Sequence, residues 1–380
     1  AQESRGLGDV YKRQVVDHID FEKKEVHAVT NDGETIVESY DKVVIATGSV
    51  PISPKVPGRD LKNIHFLKKF QDGQTVDKEL ASEDVKNVAV IGAGYIGVEI
   101  AEAAKRRGKN VLLFDAATRA LPNYYDKWFT EDMDKNLADN GIELHFGELA
   151  REYKGTEKVE AVVTDNGEYP VDLVINAIGF LPNNELGKDH LELFANGAYL
   201  VDRHQRTSDA DVYAVGDCAT VYSNALQQTT YIALATNAVR SGIVAAHNIG
   251  GTSLESTGVQ GSNGISIFGY NMVSTGLSVE AAERNGMKVK YSDYEDTQKP
   301  GFMKENATVK IRIVYEEESR RIVGAQMASR TSEIAMGIHM FSLAIEEGVT
   351  IDKMKLLDIF FLPHFNQPYN YITMAALKAE

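Results

Sequence analysis

Three glycines and one acid supply the first piece of chemistry in this chain. Gly92, Gly94 and Gly97 stand at G-x-G-x-x-G spacing in "VAVIGAGYIGVEIAEAAKRRGKNVLLFD", and Asp115 closes the segment. Glycines so spaced permit a tight turn, a close approach of backbone to a pyrophosphate, and close packing of a helix on a strand. The N-terminus of the helix that follows, where Ile96 stands, favours phosphate charge. A carboxylate about twenty residues further on accepts hydrogen bonds from a ribose diol and repels a 2′-phosphate. The pattern predicts a site for NAD(H) rather than NADP(H).

The elements that must carry these residues are legible around them. Residues 88–91 read as a buried parallel strand, residues 96–107 have the apolar spacing of a helix, and "NVLLF" reads as a second strand ending at the acid. The chain has 380 residues, 43% of them hydrophobic, enough for two or three domains with cores of their own. A net charge of -15 argues against nucleic acid or an anionic membrane as partner. No uninterrupted apolar segment approaches membrane-spanning length and no signal-peptide pattern is visible, so a cytoplasmic enzyme is expected. The one cysteine, Cys218, excludes an intrachain disulfide framework. No metal is expected.

Along the chain, the first domain reads as interrupted. Residues 15–46 hold three strand-like runs, "VVDHID", "EVHAV" and "KVVIA", with the turn signal "TNDGE" among them, and predict a small meander. "VVIATGSVPISPKVPG" predicts a buried strand ending at Thr47 and Gly48 before a proline-rich loop. The NAD unit closes with the hairpin text "VEAVVTDNGEYPVDLVINAIG". "TSDADVYAVGDCAT" then predicts a return to a short buried strand ending at Gly216 and Asp217, with a long helical stretch over residues 231–249. Strands such as "ISIFG" and "TVKIRIVY", and helices across 333–347, predict a third domain. The expected division is 15–83 with 207–253, then 84–206, then 254–380.

Taken in order, "VVIATGS", "VIGAGYIGVEIAEA", "AIGFLPN" and "VYAVGDCA" resemble the pyridine nucleotide-disulfide oxidoreductases. The C-terminal text, including "GIHMFSLAIEEGVTIDKM" and "FFLPHFNQPYNYITMAALKAE", is similar to the water-forming NADH oxidase branch of that family. The resemblance implies an α/β fold of two nested Rossmann-like domains, for FAD and for NAD, the FAD domain being incomplete, plus a C-terminal α+β dimerisation domain. It implies a homodimeric flavoprotein that oxidises NADH and reduces dioxygen to water. Two neighbouring branches, NADH peroxidase and coenzyme A-disulfide reductase, differ in the electron acceptor. An NADH-binding flavoprotein redox sensor without turnover is the alternative of another class.

The resemblance also assigns cofactor contacts. Ala46, Thr47, Gly48 and Ser49 match a loop near the FAD adenosine and pyrophosphate, and Gly216 with Asp217 match a "GD" pair whose acid accepts a hydrogen bond from a ribityl hydroxyl. Leu234, Ala235 and Thr236 match a helix start facing the flavin, and Lys68 matches a flavin-side contact, with Lys69 the adjacent alternative. Tyr124 matches an aromatic near the adenine, with Tyr125 its rival. Gly179 matches a glycine below the nicotinamide, and Ala233 and Gly264 match further NAD contacts, although Gly264 could equally be a plain turn glycine. His364 stands on a segment that approaches the partner subunit's active site, either as a proton donor to reduced oxygen or as a structural interface histidine.

Members of the family begin with an FAD fingerprint and carry an N-terminal redox-active cysteine. Residues 1–14, "AQESRGLGDVYKRQ", match neither, and are expected to be a non-native segment joined to a truncated frame, which leaves the catalytic residues unassigned. A reactive cysteine needs an accessible, electropositive setting. Cys218 directly follows Asp217 and is expected to pack rather than react.

Overall fold

The structure, a computed structural model, describes residues 14–380, so the expected non-native segment lies, but for Gln14, outside the described residues. Two units separate. One holds residues 14–49 with 181–222 and 229–257, and the other holds 50–180, 223–228 and 258–380. These units break at 49/50 and 180/181 where the expected division breaks at 83/84 and 206/207, and the C-terminal segment clusters in one unit with the dinucleotide segment. The reason for the first shift is a strand, Ile64–Phe66, that pairs in parallel with Leu173–Asn176 and so joins the sheet it was expected to precede.

That sheet has five parallel strands in the order Ile64–Phe66, Leu173–Asn176, Asn87–Ile91, Asn110–Asp115 and Ile142–Phe146. Parallel strands covered on both faces are near-continuous apolar runs, and "NVAVI", "VLLF" and "LVIN" are such runs, with Val88, Ala89, Val90, Leu113, Phe114, Val174 and Ile175 fully buried. The helix Tyr95–Arg106 lays Val98, Ala101 and Ala104 on one face at three-residue spacing and buries them against the sheet. Of the predicted hairpin, Ala161–Thr164 and Glu168–Pro170 form an antiparallel sheet with Ala150–Lys154, after which the chain re-enters the parallel sheet at Leu173–Asn176.

Residues 263–329 build a five-stranded sheet in the order Asn263–Ile267, Tyr270–Gly276, Ile322–Ser329, Thr308–Glu316 and Val289–Thr297, every pairing antiparallel. Its strand Ile322–Ser329 is buried at every position. The helix Ile338–Glu346 covers it with Ile338, Phe341, Ala344 and Ile345. A buried polar knot ties this sheet to the dinucleotide segment. Asp126 accepts from Gln326 Nε2 at 2.6 Å and pairs with Arg312 at 3.2 Å.

In the first unit the meander is Val15–Asp20, Glu25–Val29 and Thr35–Ser39. The run "KVVIA" is not its third strand: Val43–Ile45 pairs in parallel with Val212–Ala214 instead. "TIVES" suits the meander because its surface is largely polar and exposed, whereas Ile45 belongs to the core with Tyr199, Val212, Ala214 and Cys218. The long helix runs Ala235–Ile249. Among the described residues, no helix is long and apolar enough to cross a membrane.

Candidate functional site

The glycine-rich turn follows the strand Asn87–Ile91, and the helix begins at Tyr95, one residue earlier than the spacing predicted, with Gly94 as its N-cap. Gly92 sits at φ +104°, and a Cβ there would stand 2.5 Å from the Ala177 carbonyl oxygen. A Cβ on Gly97 would lie 1.7 Å from the Gly92 carbonyl oxygen, so helix and turn are in direct backbone contact. A Cβ on Gly94, by contrast, would meet nothing within 4 Å. No side chain caps this helix start, as a pyrophosphate bound there requires. Ile96 is half-buried in the first turn.

Asp115 ends the strand Asn110–Asp115. Its Oδ2 accepts the Ala93 N–H at 2.6 Å and its Oδ1 accepts the Ala117 N–H at 2.7 Å, so the carboxylate is clamped to the glycine-rich turn and to its own loop. The loop returns to the turn through the Leu121 N–H, which donates to the Ala93 carbonyl at 2.8 Å. Asp134 Oδ1 accepts the Ala120 N–H at 3.0 Å, and burial pushes the Asp134 carboxyl up to about 6. Tyr125 is fully buried in the core, while Tyr124 remains 39% exposed and meets Tyr95 edge to face at 4.4 Å.

Gly179 sits at φ +110°, where a Cβ would be 3.5 Å from Ile52 Cδ1; its backbone conformation, more than protein crowding, demands glycine. A hollow of about 250 Å³ is lined by Leu67, Lys68, Lys69, Ile96, Glu99 and Ile100, so both candidate lysines reach one cavity with the helix Tyr95–Arg106. Lys68 Nζ also lies 4.7 Å from the centre of the Phe180 ring. Gly264 is not a turn glycine: it is exposed within the strand Asn263–Ile267, paired with Val273.

Two residues of this region escaped the sequence reading. Tyr95 is the first helical residue, and its hydroxyl converges with those of Tyr125 and Ser274 on Asn263 Oδ1. Glu99 lies one turn further on, in the wall of the hollow. Both stand inside the fingerprint itself, where attention to the glycines hid them. The signal available was a tyrosine and a glutamate four apart, hence on one helix face.

In the other unit the "ATGS" and "GD" texts meet. Ser49 Oγ donates to Asp217 Oδ2 at 2.9 Å, although 168 residues separate them. Gly48 has φ +68° and empty space where a Cβ would stand. The Thr47 hydroxyl donates to the Asn183 carbonyl at 2.5 Å, and the Asn183 N–H donates to the Gly48 carbonyl at 2.9 Å. Ala46 is exposed. Gly216, at φ +72°, opens a short 3-10 turn, and its N–H donates to Ser241 Oγ on the long helix at 3.0 Å. That helix starts after Leu234 without a side-chain cap, with Ala233, Ala235 and Thr236 exposed at its mouth. An open glycine loop, an anchored acid and an uncapped helix start fit a phosphate-bearing cofactor with a polyol chain, such as FAD. Cys218 is fully buried, with Sγ 3.2 Å from the Val215 carbonyl and 3.4 Å from that of Ile45, and it packs as expected.

The C-terminal aromatic segment lies open on the single chain. Phe360, Phe365 and Tyr369 are 67%, 54% and 75% exposed, and His364 is exposed beside them. Gln298 Nε2 and Gln367 Nε2 pin the segment to the sheet, through the Phe365 and Thr297 carbonyls at 3.1 and 2.6 Å.

Known proteins share this arrangement. The family model described as pyridine nucleotide-disulphide oxidoreductase matches residues 3–242, and the dimerisation domain of that family matches residues 264–370. The chain is 65% identical over 368 residues to the NADH oxidase of Lactococcus lactis subsp. cremoris (strain MG1363), a match that covers 96% of this chain and 82% of that one. The water-forming NADH oxidase from Lactobacillus brevis, solved bound to NADH, superposes with a TM-score of 0.92 at 34% identity, over 96% of this chain and 80% of that one. An engineered water-forming NADPH oxidase made from that enzyme and solved bound to NADPH also has a TM-score of 0.92, at 33% identity, over 96% and 81% of the two chains; an aspartate-to-alanine change is among its substitutions.

Proposed function

Because this chain belongs to the pyridine nucleotide-disulphide oxidoreductase family, we propose that it is a homodimeric, FAD-dependent NADH oxidase that reduces dioxygen to water. The observation that carries the reading is the Asp115 carboxylate, clamped at the mouth of an open glycine-rich turn in a chain 65% identical over 368 residues to an NADH oxidase.

Gly92, Gly94 and Gly97, with the helix start at Ile96, receive the pyrophosphate of NADH. Asp115 accepts hydrogen bonds from the adenosine ribose diol, and its charge excludes the 2′-phosphate of NADPH. The aspartate-to-alanine change in the engineered NADPH-binding relative supports that reading. Tyr124 flanks the adenine. Gly179 leaves room below the nicotinamide, Gly264 borders the same site, and Ala233 is a further contact. Lys68 is a flavin-side contact by the family resemblance alone. When bound, FAD supplies an acceptor for the two electrons of NADH that in turn reduces dioxygen. Ser49 orients Asp217 toward the ribityl chain, and Ala46 to Gly48 with Leu234 to Thr236 receive the adenosine and phosphates. The exposed aromatic segment around His364 meets a second copy of the chain.

The test is oxygen uptake measured against NADH consumption. Two NADH oxidised per dioxygen supports water as product, and an equal ratio indicates peroxide. Turnover only with added peroxide or a disulfide would assign the chain to the neighbouring branches, and binding without turnover would make it a sensor.

A further inference from the structure

The Asp115 loop is braced from beneath by a cluster that the proposed function does not use. His145, on the strand Ile142–Phe146, stacks on Phe114 with ring centres 4.6 Å apart and 16° between planes. Its Nδ1 lies 3.2 Å from Glu148 Oε1 and its Nε2 lies 2.9 Å from Glu143 Oε1. Glu148 is itself buried, and its Oε2 accepts from the Thr164 hydroxyl at 2.8 Å and the Tyr169 hydroxyl at 3.1 Å. Those donors come from the antiparallel hairpin Ala161–Thr164 and Glu168–Pro170, so one carboxylate ties that hairpin to the edge of the parallel sheet. Above this anchor, the Glu148 N–H donates to the Asp115 carbonyl at 3.0 Å and the Gly147 N–H donates to the Ala117 carbonyl at 2.9 Å.

We propose that Glu148 is a positioning residue for nucleotide selectivity: its buried side chain fixes the 147–148 turn, and the amides of that turn hold the Asp115–Ala117 loop in the geometry that accepts a ribose diol. The inference rests on the reading of Asp115 as the ribose ligand. A buried carboxylate is stable only with its donors in place. Removing it leaves the Thr164 and Tyr169 hydroxyls without that acceptor and frees the turn. NADH must then pay to order the loop on binding. NADPH gains nothing from the ordered loop, since the ordered carboxylate repels its phosphate, so selectivity narrows.

The test reads nucleotide binding rather than turnover, through titrations of the full chain with NADH and with NADPH followed by nucleotide fluorescence, alongside thermal midpoints. Glu148→Ala is expected to raise the Kd for NADH about tenfold while leaving that for NADPH unchanged or lower. Glu148→Gln, which can still accept from both hydroxyls, is expected to stay close to the unaltered protein. The double variant Thr164→Val, Tyr169→Phe keeps shape and ring stacking while removing both donors, and it decides the matter alone if Glu148→Ala does not fold. Asp115→Ala is the comparator. If it weakens NADH binding while the double variant leaves both affinities unchanged, the brace is refuted and the ribose reading stands. If Asp115→Ala itself changes nothing, the ribose reading falls and takes the proposal with it.

Discussion

Replacing Asp115 by alanine tests whether its charge sets the choice between NADH and NADPH. The carboxylate accepts one backbone N–H on each oxygen, from Ala93 and Ala117, and retains lone pairs for a diol. Losing charge-assisted hydrogen bonds to the ribose costs on the order of 1–3 kcal/mol of NADH affinity, roughly five- to 150-fold in Kd. NADPH loses nothing comparable, because the same substitution removes the repulsion of its phosphate. Stability falls as well: Ala93 is fully buried and its N–H loses its acceptor, a cost of about 1–3 kcal/mol unless water enters. Absolute affinities therefore mix two effects, and the informative quantity is the ratio of NADH to NADPH affinities, measured by fluorescence titration well below the variant's melting temperature. Asp115→Asn supplies a control that keeps an acceptor for Ala93 while giving up the charge. A ratio unchanged in both variants would refute the assignment of Asp115 to the ribose.

Three further outcomes are expected. Gly97→Ala drives a Cβ into the Gly92 carbonyl at 1.7 Å, a contact that only a backbone shift of turn or helix relieves, and should cost about 1–3 kcal/mol in urea unfolding and weaken NADH binding; a variant of unchanged stability would mean the turn and helix have slack. The Asp134 carboxyl is raised by burial from 3.8 to about 6, so the folded form holds its proton more tightly than the unfolded chain. Its contribution to stability is full below pH 3.8 and is lost as pH rises through 6. Asp134→Asn, neutral throughout, should accordingly gain about 1 kcal/mol above pH 7 and nothing near pH 4; a gain of equal size at both pH values would rule out titration as its cause. Phe360→Ser with Phe365→Ser should yield monomers in sedimentation velocity, at about 1.5–3 kcal/mol for each aromatic removed from an interface, with NADH affinity retained; persistence of a dimer would remove this segment from the interface.

The strand, glycine-rich turn, helix and strand around Gly92 were legible in the chain because their geometry is local. Gly92, Gly94, Gly97 and Asp115 lie on one strand, turn, helix and strand, and backbone conformation over so short a span follows from residue type and spacing. Other features depended on partners that spacing does not name. "VVI" at 43–45 reads as a strand, yet nothing local distinguishes a third meander strand from the parallel partner of Val212–Ala214. Ile64–Phe66 is too short to declare a sheet, and only Leu173–Asn176, more than a hundred residues on, recruits it. Gly264 reads as either a cofactor contact or a plain turn glycine, and only its pairing with Val273 removes the turn. Ser49 reaching Asp217, Asn263 gathering the hydroxyls of Tyr95 and Tyr125, and Glu148 bracing Asp115 through its own amide are likewise decided by packing. The chain states which conformations each segment prefers. Which segments meet is settled by the burial of their apolar faces and the pairing of every polar group that burial encloses, and those conditions are satisfied only by the folded whole.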